Sequence, residues 1–319
     1  MQVLSRTLRL LPRRTLTALL LFLQAVAAQA QGGSTPLIWE ARSDTNVVYL
    51  FGTVHVGARK MYPLGANVEQ AFAQCKVLAL EADPTDQSAL LAMTADATYQ
   101  PPDNLANHIS PQLMEELTKA LPSLGLPVEY ARVMRPHMLA MSIAMLEIER
   151  EGYDPNLGLD VHFARLAKQQ GKRVVELESL REQLALLNSF SPQLQEAMLK
   201  ASLDEVADGS MSADIRELVA AWMSGDSDRL MAQVDKETES LPAPLAQDLK
   251  AQLYDRRNRV MAEKIAGMLK GSEPTFVAVG AGHLLGPSGL VELLRAKGYK
   301  VTKMRGEEVK RCKGEEVKT

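Results

Sequence analysis

Apolar and polar positions change rhythm twice along this chain. Near the start they form short runs. Leu37–Ala41 and Val47–Phe51 are apolar-rich and flank the turn cluster Ser43-Asp44-Thr45-Asn46, a pattern that predicts a β-hairpin. Val68, Ala71 and Phe72 share one face of a short helix predicted over Asn67–Cys75. Val77–Leu80 then reads as a buried strand running into Glu81. The middle of the chain has helical spacing. Pro136–Arg150 carries Met138, Met141, Met145 and Ile148 on one stripe, which reads as core packing before it reads as a soft binding groove. Gly158–Gln170 is a second predicted helix, stopped by Gly171. Arg173–Leu177 is a strand, and several helices follow from Leu180 to Leu269. The short-run rhythm then returns with a strand at Thr275–Val279, a helix at Gly289–Lys297 and a strand at Tyr299–Thr302. These elements predict an α/β fold with one mixed sheet built from N- and C-terminal strands. A large helical insertion, at about 85–270, would cover one side.

The first thirty residues stand apart. Arg6, Arg9, Arg13 and Arg14 precede the apolar run Leu16–Val26, and Ala28-Gln29-Ala30 offers a small-x-small cleavage signal. This reads as a secretory signal peptide, residues 1–30, and so as a periplasmic or secreted product. The other reading is an uncleaved anchor, but the run falls short of the roughly 20 apolar residues a span needs. No stable membrane span is expected after cleavage. Losing four arginines takes the formal charge from −3 to −7, and an acidic product argues against nucleic acid as a partner. The domain is expected over 31–303. The tail, 304–319, repeats Gly-Glu-Glu-Val-Lys at Gly306–Lys310 and Gly314–Lys318 and reads as disordered.

Only two cysteines occur, Cys75 and Cys312. A single disulfide and two unrelated thiols are both open, and a cysteine-based zinc cluster is excluded by count. With 46% hydrophobic and 24% charged residues, the chain can bury a core that holds a rigid site.

Candidate chemistry gathers where strands end. Phe51-Gly52-Thr53-Val54-His55 and Val279-Gly280-Ala281-Gly282-His283 are both an apolar run, a glycine, and a histidine three residues on. Glycine lets the chain turn as it leaves the sheet, and the C-terminal edge of such strands is where open α/β sheets hold ligands. Glu81 also ends a strand, and Asp83 would share its side if the strand continued. Two imidazoles and a carboxylate can make a hydrolytic metal site. Taken singly, Glu81 also reads as a helix cap or a solvated charge. No Gly-x-Ser-x-Gly elbow and no P-loop occurs.

At these residues the chain resembles the TraB/GumN family, which includes the animal Tiki proteins. The likeness runs from about Leu37 to Thr302 through Tyr49–Gly57, Val77–Asp83 and Gly158–Gln183. It ends in Arg256-Arg257-Asn258 with Met261–Ile265 and the second Gly-x-x-His. The resemblance implies an EreA/ChaN-like fold. It also implies an active site that contains both Gly-x-x-His motifs and a glutamate. Tiki members are described as divalent-metal-dependent proteases. By that likeness His55, Glu81 and His283 would bind a divalent ion such as Mn, Co or Zn, and a peptide or protein would be the substrate. Secondary candidates come from the same passages. Glu178 follows the Arg173–Leu177 strand. Arg257 and Asn258, on a long helix, could hold a carboxylate or a developing oxyanion, while Arg257 reads equally as an exposed ion pair. Asp160 and His162 read first as a helix-start acid and an amphipathic-edge residue. His108 and His137 are expected to be structural or exposed. Two other readings stay open: a non-catalytic peptide- or metal-binding protein, and a metal-free esterase-like hydrolase.

Overall fold

In the computed structural model, residues 37–88, 96–236 and 238–304 are described. The expected signal peptide, the linker before Leu37, the repeated tail and Cys312 lie outside the described residues. Six strands form one mixed sheet: β1 (Ile38–Arg42), β2 (Val47–Thr53), β3 (Val77–Leu80), β4 (Arg173–Glu176), β5 (Thr275–Gly280) and β6 (Lys300–Lys303). Their order is β4-β3-β5-β2-β1-β6. The pairs β4/β3, β3/β5 and β5/β2 are parallel, while β1 runs antiparallel to both β2 and β6.

Side-chain chemistry sorts these positions. The near-continuous apolar runs of β2, β3 and β5 are buried almost throughout, as parallel strands covered on both faces require. The edge strands β4 and β6 are polar at their ends. Helices α1 (Ala66–Gln74) and α5 (Leu159–Gln169) cover part of the sheet. Their Phe72 and Phe163 meet Phe276, and Phe163 also meets Phe51, with centroids 4.9 to 5.5 Å apart. Buried Trp222 packs edge-on to Phe51 and donates its indole N–H to the Gly52 carbonyl at 2.8 Å.

Between β3 and β5 lie α2 (Pro111–Leu124), α3 (Val128–Val133), α4 (Pro136–Arg150), α5, α6 (Leu180–Asn188), α7 (Pro192–Asp208), α8 (Ser210–Ser224), α9 (Ser227–Lys236) and α10 (Ala243–Lys250). A π-helical turn, Ala251–Asp255, runs from α10 into α11 (Arg256–Leu269), and α12 (Ala281–Leu284) and α13 (Leu290–Ala296) follow β5. The helices α2, α3, α4 and α7 build a second apolar core. The methionine stripe of α4 divides between the two cores: Met138 packs into the second, Met145 and Ile148 into the first, and Met141 is exposed. Strand β4 lies inside the stretch expected as a helical insertion and joins the sheet edge beside β3. No helix among the described residues is long and apolar enough to cross a membrane.

Candidate active site

Because β2, β5, β3 and β4 run parallel, their C-terminal ends share one edge. Thr53 pairs with Gly280, Leu80 with Ala278, and Leu80 with Glu176. Glu81 and His55 therefore leave the sheet beside Gly280. An ideal Cβ on Gly280 would lie 3.1 Å from Glu81 Oε1, 3.6 Å from His283 Cδ2 and 3.8 Å from His55 Nε2. Three groups more than two hundred residues apart at the extremes converge on one bare α-carbon. Only a residue without a side chain leaves them that space.

Local sequence explains how each group arrives. The loop after β2 is stitched to the segment before α5: Gly57 and Asp154 exchange backbone hydrogen bonds at 3.0 and 2.8 Å, and the Leu159 N–H donates to the Val54 carbonyl at 3.1 Å. Two glycines permit this crossing. A Cβ on Gly57 would stand 2.0 Å from the Leu157 carbonyl oxygen, and one on Gly158 would stand 2.4 Å from that of His55. Asp160, in the first turn of α5, thereby reaches His55, with Oδ2 3.0 Å from Nδ1. After β5 the chain turns at Gly280 into α12, which buries His283 against Tyr254. The Asn258 amide donates to the Ser288 carbonyl at 2.9 Å, so its Oδ1 faces His283 Nδ1 at 2.6 Å. That arrangement puts the His283 proton on Nδ1 and turns Nε2 toward Glu81 Oε2, 3.6 Å away.

Glu81 is held from three sides. Its Oε1 accepts the Gly280 N–H at 2.5 Å, and its Oε2 accepts from Arg257 Nη2 at 2.8 Å and from the Gln183 amide at 3.4 Å. Arg257 also donates Nε and Nη2 to Glu178, at 2.7 to 3.0 Å, and Nη1 to the Leu253 carbonyl at 3.0 Å. These side chains are 10 to 15% exposed, so water screens them little.

The environments separate the titrations. Burial would raise the Glu81 carboxyl, but His283, His55, Arg257 and the Gly280 N–H outweigh it and hold it at about 2. The Asp160 hydrogen bond, then the Asp160 and Glu81 charges, raise His55 to about 9 against desolvation. Burial lowers His283, and the Glu81 charge offsets part of that effect.

A profile of the TraB/PrgY/gumN family matches residues 37–303. This chain belongs to the TraB/PrgY/gumN family. YbaP of Escherichia coli K12, itself uncharacterised, is 26% identical over 247 residues, covering 77% of this chain and 87% of its own. Metalloprotease TIKI1 of Danio rerio is 25% identical over 317 residues, covering 85% of this chain and 63% of its own. The metalloprotease TIKI homolog of Amphimedon queenslandica is 27% identical, with 81% and 59% covered. The chain thus spans about three-fifths of those two metalloproteases. No solved structure matches it.

Metalloprotease-named relatives raise the question whether the residues of this TraB/PrgY/gumN chain suit a metal. Among the described residues no three His, Cys, Asp or Glu side chains stand grouped as a ready ligand shell. Donor type and charge do suit a divalent ion. Each imidazole has Nδ1 anchored by an oxygen, with His55 Nε2 facing the space by Gly280 and His283 Nε2 facing Glu81, the orientation that outer-shell acceptors impose on ligating histidines. A neutral His283 would otherwise point a lone pair at an anionic oxygen. The contacting carboxylates Glu81, Glu178 and Asp160 against Arg257 leave two negative charges when both imidazoles are neutral.

Other expected residues divide clearly. Glu178, Arg257, Asn258 and Asp160 join the cluster. Asp83 turns away, its carboxylate on Thr85 and Lys168, at 2.6 and 3.1 Å. His162 packs its ring on Tyr62 and Phe163. His137 is buried with Nδ1 2.9 Å from Gln195, and His108 stacks on Tyr99. Cys75 is buried, with its thiol raised to about 12 by desolvation. Sequence reasoning passed over Gln183 and the Gly280 N–H. Gln183 sits just past the capping box Ser179/Glu182, which announces a helix start but not a side chain aimed at Glu81.

Proposed function

We propose that this chain is an exported hydrolase, periplasmic or secreted, that cleaves peptide or protein substrates with a divalent ion held by His55, His283 and Glu81. The observation that carries the reading is the matched anchoring of the two imidazoles, Nδ1 to Asp160 and Nδ1 to Asn258, with His283 Nε2 3.6 Å from Glu81 Oε2 and His55 Nε2 3.8 Å from the position a Gly280 Cβ would take. A bound ion would supply Lewis acidity toward the scissile carbonyl. The chain's own residues do the rest. Asp160 and Asn258 fix the two rings. Arg257, Gln183 and the Gly280 N–H hold the Glu81 carboxylate, which at about 2 stays ionised and serves as a fixed charge, not a proton donor. His55, 66% exposed, stands where a substrate arrives. The arginine-rich leader and the metalloprotease-named relatives support export and proteolysis respectively.

A second reading is favoured by one observation: both Glu81 oxygens are already engaged by Arg257 and Gly280. Without a metal, neutral His283 would take a proton from water as it adds to the carbonyl, and protonated His55 would give one to the leaving amine. Metal analysis of the purified chain decides between the two. About one divalent ion per chain, lost in both His55→Ala and His283→Ala, is the expected result. Metal retained in both variants, or full cleavage after exhaustive chelation, overturns the metal reading. Peptide binding with no cleavage under any metal would instead make this a sequestering protein.

A further inference from the structure

Asn258 is used at both ends of its amide, and what stands opposite fixes the polarity of each contact. One end faces the Ser288 carbonyl, which only accepts, so the Nδ2–H points there at 2.9 Å. The other end is then Oδ1, also only an acceptor. It stands 2.6 Å from His283 Nδ1, which therefore carries the proton. Asn258 is 1% exposed, so water competes for neither end. An amide turned the other way would offer His283 a donor, move its proton to Nε2 and close that nitrogen to any cation.

Whatever holds the Ser288 carbonyl in place thus sets the state of the imidazole. Gly286–Gly289 is a tight turn: the Gly289 N–H donates to the Gly286 carbonyl at 3.0 Å, and Pro287 takes the second position, where its fixed φ suits the bend. Gly289 lets the turn fold back on the end of α12, since a Cβ there would stand 2.2 Å from the Leu285 carbonyl oxygen. The turn presents two groups of Ser288 to one helix. The carbonyl meets Asn258, and Oγ donates to Asp255 Oδ1 at 2.5 Å. Asp255 is the last residue of the π-helical turn and lies three residues before Asn258, so both reach Ser288 from one face. Hydroxyl-to-carboxylate bonds are short and among the stronger kind.

We propose that Asp255 and Ser288 are positioning residues for His283: they clamp the turn that orients the Asn258 amide, and so keep the His283 proton on Nδ1 and Nε2 open to a cation. They act through Asn258. The use of the clamp rests on the metal reading above, so its test includes a measurement made with no metal and no turnover.

Mature protein labelled with nitrogen-15 in its histidines is followed by long-range proton–nitrogen NMR with a chelator present, at about pH 8, where burial keeps the His283 ring neutral. The His283 signals are identified by their loss in His283→Gln. The native ring should show a protonated Nδ1 and a bare Nε2. Ser288→Ala should add a second population with the proton on Nε2, and Asp255→Ala should do the same. Ser288→Thr, which keeps the hydroxyl, should restore the native spectrum. Divalent-metal affinity should fall about 10-fold in each alanine variant, and the double variant should lose no more than either alone, because the two residues make one contact. Asp255→Ala carries the test if Ser288→Ala does not fold. A native ring protonated on Nε2, native tautomers in both alanine variants, or fully additive losses in the double variant overturn the clamp. The expected tautomer changes in a protein that binds no metal keep the clamp and remove the metal reading.

Discussion

Replacing Arg257 with methionine keeps most of the side-chain bulk and removes the one cation between two buried carboxylates. In the native protein Arg257 donates to Glu178 through two nitrogens and to Glu81 through one, and all three side chains are at most 15% exposed. Removing one partner of such a buried pair costs about 3–5 kcal/mol, because the remaining charges lose their compensation but not their burial. In a domain of this size the loss corresponds to a fall in Tm on the order of 10 °C. The pH dependence carries the sign. Glu81 titrates below its ordinary value in the native protein, so its contribution is complete above pH 4.5 and is lost as pH falls toward 2. In the variant, burial without the guanidinium raises the Glu81 carboxyl, so the penalty grows as pH climbs from about 4 to 7. Urea denaturation of both proteins across pH 4–8, with a chelator present so that bound metal cannot replace the lost charge, measures the difference. A deficit under ~1 kcal/mol that is flat with pH is the behaviour of a solvated surface pair, and it would refute the buried-network description.

Three further changes probe separate parts of the site. Asn258→Ala should free the His283 ring and weaken divalent-metal affinity by about 10- to 100-fold; unchanged affinity in a competition titration would deny Asn258 its anchoring part. Gly280→Ala should fold normally, since the native φ of −49° suits any residue, yet its Cβ would meet Glu81 Oε1 at 3.1 Å, so metal uptake should fall while Tm stays within a few degrees; a fully loaded variant contradicts this. Trp222→Phe should cost about 1–3 kcal/mol in urea unfolding by stranding the Gly52 carbonyl, and a cost near zero would mean that water or another donor replaces the indole.

Most of the fold was legible because its central strands are continuous apolar runs. Val47–Thr53, Val77–Leu80 and Thr275–Gly280 depart from the expected bounds by at most two residues. The edge β4 was also visible, but inside a stretch whose helical rhythm suggested insertion. His55, Glu81 and His283 were legible as strand-end groups, because residues that follow parallel strands share an edge. Asp83 misled for a definite reason. The alternation that would place it beside Glu81 holds only while the strand lasts, and β3 ends at Leu80. Beyond that point the Asp83 N–H turns to Glu176 Oε1 and the carboxylate to Thr85. The Gly280 N–H that binds Glu81 could not be read at all, since a backbone donor carries no residue identity.

The two Gly-x-x-His motifs look like copies, yet they do not perform alike. Gly52 pairs with Val279 and Thr53 with Gly280, so the second glycine sits one residue further along its strand than the first. After Gly52 the chain continues through Thr53 before leaving the sheet, and His55 emerges into a loop with its ring exposed beside the Asp160 carboxylate. After Gly280 it coils at once into α12, and His283 is buried against Tyr254 with a neutral amide as its partner. A carboxylate anchor raises one imidazole, and burial beside an amide lowers the other. One residue of register thus converts a sequence repeat into two electrostatically distinct groups. His55 must release a proton to bind a cation near neutral pH, whereas His283 need not, so metal uptake should liberate fewer than two protons per ion.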